Sequence, residues 1–230
     1  MTNTPDDTPT ILPPSAAGTI TLMDRLLRKP HDLASEIINN PVRTTIPLCL
    51  LTAFFYLAYG LIVGAFSGGA HFWQAPWKVL FIVSASAAIC FPSLHIIWCL
   101  QGGNQTFGQT FAQLLVGLSL TGLLLIGLAP VVWVFSQSTN SAAFMGLLHW
   151  CFALFSLHFG LRFIKQGMGM AGHVLPPRSF ALWVLIFVMV VMQMSTTHRP
   201  LLTSVEGDAI GQKVFFLNHW IDFLRHGGHR

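Results

Sequence analysis

The chain has 230 residues, of which 53% are hydrophobic and 9% charged, with a mean hydropathy of +0.63 and a formal net charge of +4. A soluble domain carries about a quarter of its residues as charged ones, so this composition excludes an ordinary water-soluble fold. It also excludes a nucleic-acid partner, because the twelve basic residues are scattered over loops and tails and form no basic stripe.

No acidic residue stands between Glu36 and Glu206. Hydrocarbon penalises ionised carboxylates, so an acid-free span filled with Leu, Ile, Val, Phe, Ala and Gly is what a bilayer selects. Residues 1–18 are polar and rich in Pro and Thr, and read as a disordered tail. They lack a basic-then-apolar start, so the first hydrophobic helix is expected to act as an uncleaved insertion signal.

Residues 19–41 read as an interfacial amphipathic segment. Pro30 suits a helix start and Asn39-Asn40-Pro41 its end, and Leu33, Ile37 and Ile38 share one face next to the basic Arg25, Arg28 and Lys29. Five stretches are then long and apolar enough to cross about 30 Å of hydrocarbon. They run from Thr45 to Phe66, Trp77 to Leu100, Phe111 to Phe135, Ala142 to Ile164 and Phe180 to Thr196. Between the first two, SGGAHFWQAPW reads as a surface turn, with Phe72, Trp73 and Trp77 in the interfacial aromatic belt. Between the fourth and fifth, KQGMGMAGH has a GxGxxG string but no preceding strand, and reads as a flexible loop. Residues 203–230 form a basic amphipathic tail. The expected fold is all-α: a polytopic bundle of five transmembrane helices over residues 42–202, with short amphipathic surface helices near both termini.

Lys and Arg counts give an expected orientation. The side holding the N-terminus carries Arg25, Arg28, Lys29, Arg43, Arg162, Lys165 and Arg178; the other carries Lys78, Arg199, Lys213, Arg225 and Arg230. The bias near the membrane favours a cytoplasmic N-terminus. A bacterial inner membrane is the expected location, since an outer membrane favours barrels.

Several motifs carry chemistry if their surroundings allow it. Gly60, Gly64 and Gly68 repeat every four residues, the spacing at which two helix backbones approach closely. Packing within the chain is the favoured use, and contact between copies the alternative. Pro92 and Pro130 interrupt the second and third spans, where a kink serves packing or, next to His95, lines a cavity. His95, His149 and His158 all lie within spans. Paired imidazoles can ligate haem iron, and His with Cys a transition metal. His95 and Cys99 share a helix face, but no HxxxH, HExxH or CxxCH string is present. A histidine bonded to a backbone carbonyl or to Ser or Thr is the favoured reading, and no cofactor or metal is expected. Ser84, Ser86 and Ser93 lie near His95, yet no carboxylate is available to orient a base, so no catalytic residue is assigned. The four cysteines fall in apolar runs without a CxxC pair. Asn104-Gln105-Thr106 matches a glycosylation sequon on the side expected to be inside.

The stretch RKPHDLASEIINNPVRTTIPLCLLTAFFYLAYGLIVGAF, with Pro30, Leu33, Ile37, Pro41 and the apolar run from Ile46, resembles the start of bacterial Yip1-domain membrane proteins. The block from Ser84 to Phe135, with its Pro-broken second span and short Gly/polar turn, is similar to the same class. The resemblance covers residues 25–200 and rests on layout. It implies five spans and brings no catalytic residues; eukaryotic members act in vesicle trafficking with small GTPases. The basic C-terminal helix departs from the family's usual short ending.

The expectation is therefore a non-enzymatic membrane scaffold or accessory subunit, with membrane lipids and other membrane proteins, or further copies of itself, as partners. The alternative is a small transporter or channel for a neutral or lipid-like substrate, recognisable by a hydrated cavity lined by Ser84, Ser86, Ser93, Thr121 and His95. A haem-bearing redox subunit using His95 or His149 is the third reading.

Overall fold

The computed structural model describes residues 37, 41–67, 71–139, 142–170 and 176–197. Among them there is no strand, and five helices are long and apolar enough to cross a membrane. They are α1 (Pro41–Ser67), α2 (His71–Leu100), α3 (Phe107–Ser138), α4 (Ala142–Met170) and α5 (Pro177–Thr197). The chain is an all-helical membrane protein. The segments expected to form a disordered tail, a surface helix (apart from Ile37 and Pro41) and a C-terminal amphipathic tail lie outside the described residues.

The helices are longer than the hydropathy pattern predicts, because a backbone leaving the hydrocarbon keeps its internal hydrogen bonds into the headgroup layer. Two expectations are corrected by this. The segment read as a surface turn is helical from His71, with Pro76 inside the helix, so Phe72, Trp73 and Trp77 are helical residues. Trp73 and Trp77 remain strongly exposed. The segment read as a glycine loop is helical through Met170, which places Gly167 and Gly169 on α4.

Helix α1 sits centrally and packs on both α2 and α3; α4 packs on the outside of α3, and α5 on the outside of α2. A shared core joins all five, with Tyr56, Phe91, Leu94, Trp98, Leu118, Ile164 and Trp183 among its buried members. A second cluster gathers Leu48, Leu51 and Phe55 of α1, Ala112, Leu115 and Val116 of α3, and Phe163 of α4. Ile37 belongs to it and is 1% exposed. This apolar anchor of the N-terminal segment is therefore seated in the bundle, where an interfacial helix was expected to lay it on lipid.

Small residues set the closest approaches. A Cβ on Gly60 would fall on the backbone of Pro76, and one on Gly64 would come within 2.8 Å of the Phe72 carbonyl oxygen. The α1–α2 contact thus forms where α1 presents bare backbone, as small-xxx-small packing requires. Gly117 of α3 and Gly160 of α4 meet in the same way: a Cβ on Gly160 would strike the Thr121 hydroxyl and the Gly117 carbonyl. Gly68, third of the predicted series, lies outside the described residues.

Candidate functional site

The polar groups inside the bundle fall into three sets. The first joins α1 to its neighbours. Thr52 donates to the Leu48 carbonyl (2.7 Å), so the 2.6 Å contact with Ser119 has the Ser119 hydroxyl as donor. One turn on, the Tyr56 hydroxyl donates to the Leu118 carbonyl at 3.3 Å. One turn further, the Tyr59 hydroxyl lies 2.8 Å from His149 Nδ1, with the two rings edge to face. Positions 52, 56 and 59 follow the i, i+4, i+7 stripe of one helix face. In hydrocarbon such contacts orient helices that hydrophobicity alone leaves free to rotate.

The second set fixes α5 to α2. Phe180, Trp183 and Phe187 stack along one face of α5, with Trp183 near-parallel to both neighbours. The Trp183 ring is fully buried, and its Nε1–H donates to the Cys90 carbonyl at 3.0 Å. The Ser93 hydroxyl donates to the same oxygen at 2.7 Å. Pro92, which has no amide hydrogen to give the turn before it, stands beside this point. Helix α2 runs continuously through Pro92, whose ring faces outward, and α3 runs continuously through Pro130, also exposed.

The third set lies at the α2–α3 turn and is the best-organised site among the described residues. Helix α2 ends in a Schellman motif: Gly102 adopts a positive φ of 84°, its N–H bonds to the Cys99 carbonyl, and the Gly103 N–H bonds to the Trp98 carbonyl. Gly103 is packed so closely on the Trp98 indole that a Cβ would overlap it. Helix α3 then starts with a capping box. The Gln109 N–H bonds to Thr106 Oγ1 at 3.3 Å, and the Thr106 N–H bonds to Gln109 Oε1 at 2.8 Å. The threonine of the apparent glycosylation sequon thus serves as the N-cap of α3.

With both helix ends fixed, His95 faces Thr110. His95 Nδ1 lies 3.1 Å from Thr110 Oγ1, and the fully buried Thr110 hydroxyl donates to the Thr106 carbonyl at 3.3 Å. That hydroxyl has one hydrogen, so it accepts from His95, which assigns the Nδ1–H tautomer. His95 Nε2 is then a lone-pair acceptor, and the Cys99 sulfur lies 3.6 Å from it. Phe107 closes on the imidazole edge to face at 5.3 Å and meets Phe91 edge to face as well, at 4.4 Å. The result is a directed chain from thiol through imidazole and hydroxyl to a carbonyl, the arrangement by which a histidine accepts a thiol proton.

The His95–Cys99 pairing is visible in the sequence as an i, i+4 spacing. Thr110 is not, and neither is Phe107. The signal that finds them is the turn: Gln101-Gly102-Gly103 stops one helix and Thr106-x-x-Gln109 starts the next, so residues about one and a half turns back on α2 meet the first turn of α3. Sequence reasoning looked for a carboxylate to orient the base, whereas a threonine hydroxyl occupies that position.

The other sequence candidates do not join this site. His149 and His158 are nine residues apart on α4, which places them about half a turn apart around its axis. His149 faces Tyr59, and His158 is exposed with its ring on Phe159. Among the described residues no three His, Cys, Asp or Glu side chains are grouped as metal ligands. The hydroxyls expected to line a cavity are dispersed as well. Ser84 is exposed, Ser93 is spent on the Cys90 carbonyl, and Thr121 donates to the Gly117 carbonyl at 2.8 Å, facing α4. Ser86 is fully buried on α2 without a hydrogen-bond partner among the described residues. Comparison of the chain with protein-family models, with curated proteins and with solved structures gives no match.

Proposed function

We propose that the chain is a non-enzymatic, Yip1-like scaffold or accessory subunit of a membrane assembly, placed in a bacterial inner membrane with its N-terminus in the cytoplasm. One observation carries this reading: three interior polar contacts, made by the hydroxyls of Ser119 and Tyr56 and the Trp183 indole, are directed at neighbouring helices. Thr52 with Ser119, Tyr56 with the Leu118 carbonyl and Trp183 with the Cys90 carbonyl each close a joint between two helices of the bundle. A carrier gathers such groups around a substrate. A proton- or cation-coupled one also needs an intramembrane carboxylate, and no acidic residue occurs between Glu36 and Glu206.

The outer helices supply docking faces. Helix α5 presents Leu182, Leu185, Ile186 and Met189, and α4 presents Leu147, Leu154 and Phe155. These faces accept lipid or the helix of a partner. The test is purification from native membranes in mild detergent, with mass spectrometry of the co-purifying proteins. Stoichiometric partners, or a defined homo-oligomer that buries α4 or α5, support the proposal. A clean monomer that moves a neutral or lipid-like solute in vesicles replaces it with the carrier reading.

A further inference from the structure

Cys49, Cys99 and Cys151 are free and exposed, and Cys90 is buried. Cys99 is the exposed cysteine whose sulfur lies against an imidazole nitrogen, at 3.6 Å from His95 Nε2. It stands one residue before the end of α2, directly ahead of the polar turn, and so at the depth where acyl chains give way to headgroups. The Schellman motif bonds its carbonyl to Gly102 and so fixes the backbone that carries the thiol.

We propose that Cys99 is a site of S-acylation, accepting a long-chain acyl group from a fatty acyl thioester. Juxtamembrane cysteines are suited to this chemistry by depth, and here the depth is combined with a base. The S–H proton passes to His95 Nε2, while Nδ1–H stays bonded to Thr110. The sulfur attacks the thioester carbonyl carbon and forms the new C–S bond. The donor's own C–S bond breaks, and the departing thiolate takes the proton back from Nε2. One thiol and one thioester are consumed and one of each is produced, so no oxidant or further reactant is needed.

The surface next to the thiol suits the product. Ile96, Pro92 and Ile89 lie three, seven and ten residues before Cys99 on one face of α2, and all three are exposed. They make an apolar track about 15 Å long, running from the turn toward the bilayer interior, along which an acyl chain lies without displacing a helix. His95 acts as a positioning and proton-accepting residue, and Thr110 fixes its tautomer.

The experiment uses the full chain in phosphatidylcholine nanodiscs, which expose both membrane faces, with palmitoyl-coenzyme A as the acyl donor. Hydroxylamine-sensitive acylation is quantified at each cysteine by peptide mass spectrometry. Cys99 is expected to acylate about tenfold or more faster than Cys49 and Cys151. His95→Phe keeps a ring against Phe107 and should bring Cys99 down to their level. Thr110→Val preserves the buried shape and should slow Cys99 severalfold. Equal rates at the three exposed thiols of the unaltered protein overturn the proposal, whether or not either variant folds. An unchanged Cys99 rate in a folded His95→Phe protein also overturns it, by leaving depth alone as the cause.

Discussion

Helix α3 and helix α5 are both apolar enough to span a bilayer, and they are used in opposite ways. More than half of the most apolar window of α3 is buried (56%), against 17% for α5. From Ala112 to Ser119 every residue of α3 is buried, so that stretch of the helix is enclosed on all sides. Helix α5 touches the bundle along one stripe, Phe180, Trp183 and Phe187. What separates them is small and polar residues at close contacts. Helix α3 has Gly117 and Gly122 pressed against α4 and α1, and Ser119 bonded to Thr52. Helix α5 has bulky aromatics and the hydrogen bond of the Trp183 indole. In lipid, where apolar side chains are as content outside as inside, backbone proximity and interhelical hydrogen bonds decide how deeply a helix is enclosed.

The sharpest way to break this contrast is at the α3–α4 contact. Gly160→Val would drive a branched side chain into the Gly117 carbonyl and the Thr121 hydroxyl, and overpacking of this kind costs about 3 kcal/mol. The midpoint of reversible unfolding in mixed dodecyl-sulfate micelles should fall sharply, and an unshifted midpoint would mean the helices are not in contact there. Gly60→Val should cost about 2 kcal/mol by the same reasoning at Pro76. This substitution also separates the two uses of the glycine series. Loss of stability in a monomeric preparation is expected, whereas a changed oligomer with unaltered monomer stability would assign these glycines to contact between copies.

Smaller effects sharpen the account of α5. Trp183→Phe keeps the stack and removes the bond to the Cys90 carbonyl, for about 1 kcal/mol. Limited proteolysis should then release α5 ahead of the other helices; simultaneous loss of all five would show that α5 is not an independent unit. Thr52→Val, which removes one interhelical hydroxyl bond of α1 with α3, should cost only about 0.6 kcal/mol. Gly127 of α3 has open space where its Cβ would stand, so Gly127→Ala should change the unfolding midpoint least of all.

Five spans and the all-helical class were legible because long acid-free apolar runs admit no other solution in hydrocarbon. Neighbours were not legible. Leu48 is fully buried and Leu50 is 69% exposed, two residues apart on the same helix and of the same type. Trp98 is buried in the core while Trp77 stands in the lipid-facing layer. Hydropathy assigns each pair one value, so the inward face has to be read from Gly, Ser and Thr. The glycine spacing at Gly60 and Gly64 carried that information, and so did the i, i+4 relation of His95 and Cys99. Helix ends were misjudged where a proline or glycine was taken as a stop. Pro76 and Gly167 stay inside helices at close contacts, Pro76 packed on the bare backbone of Gly60 and Gly167 leaving room for a neighbouring side chain. A Cβ on Gly167, for instance, would occupy the place of the Gln113 amide.

The placement of α1 between α2 and α3 has a consequence for how the protein is made. Helix α2 packs on α1, α3 on α1, α4 on α3 and α5 on α2. Each helix after α1 therefore finds a packing partner already synthesised when it emerges. Domains assemble from the N-terminus as the chain grows. A bundle with this connectivity can leave the insertion machinery one helix at a time, each docking on a finished surface, without threading a helix between two that have already met.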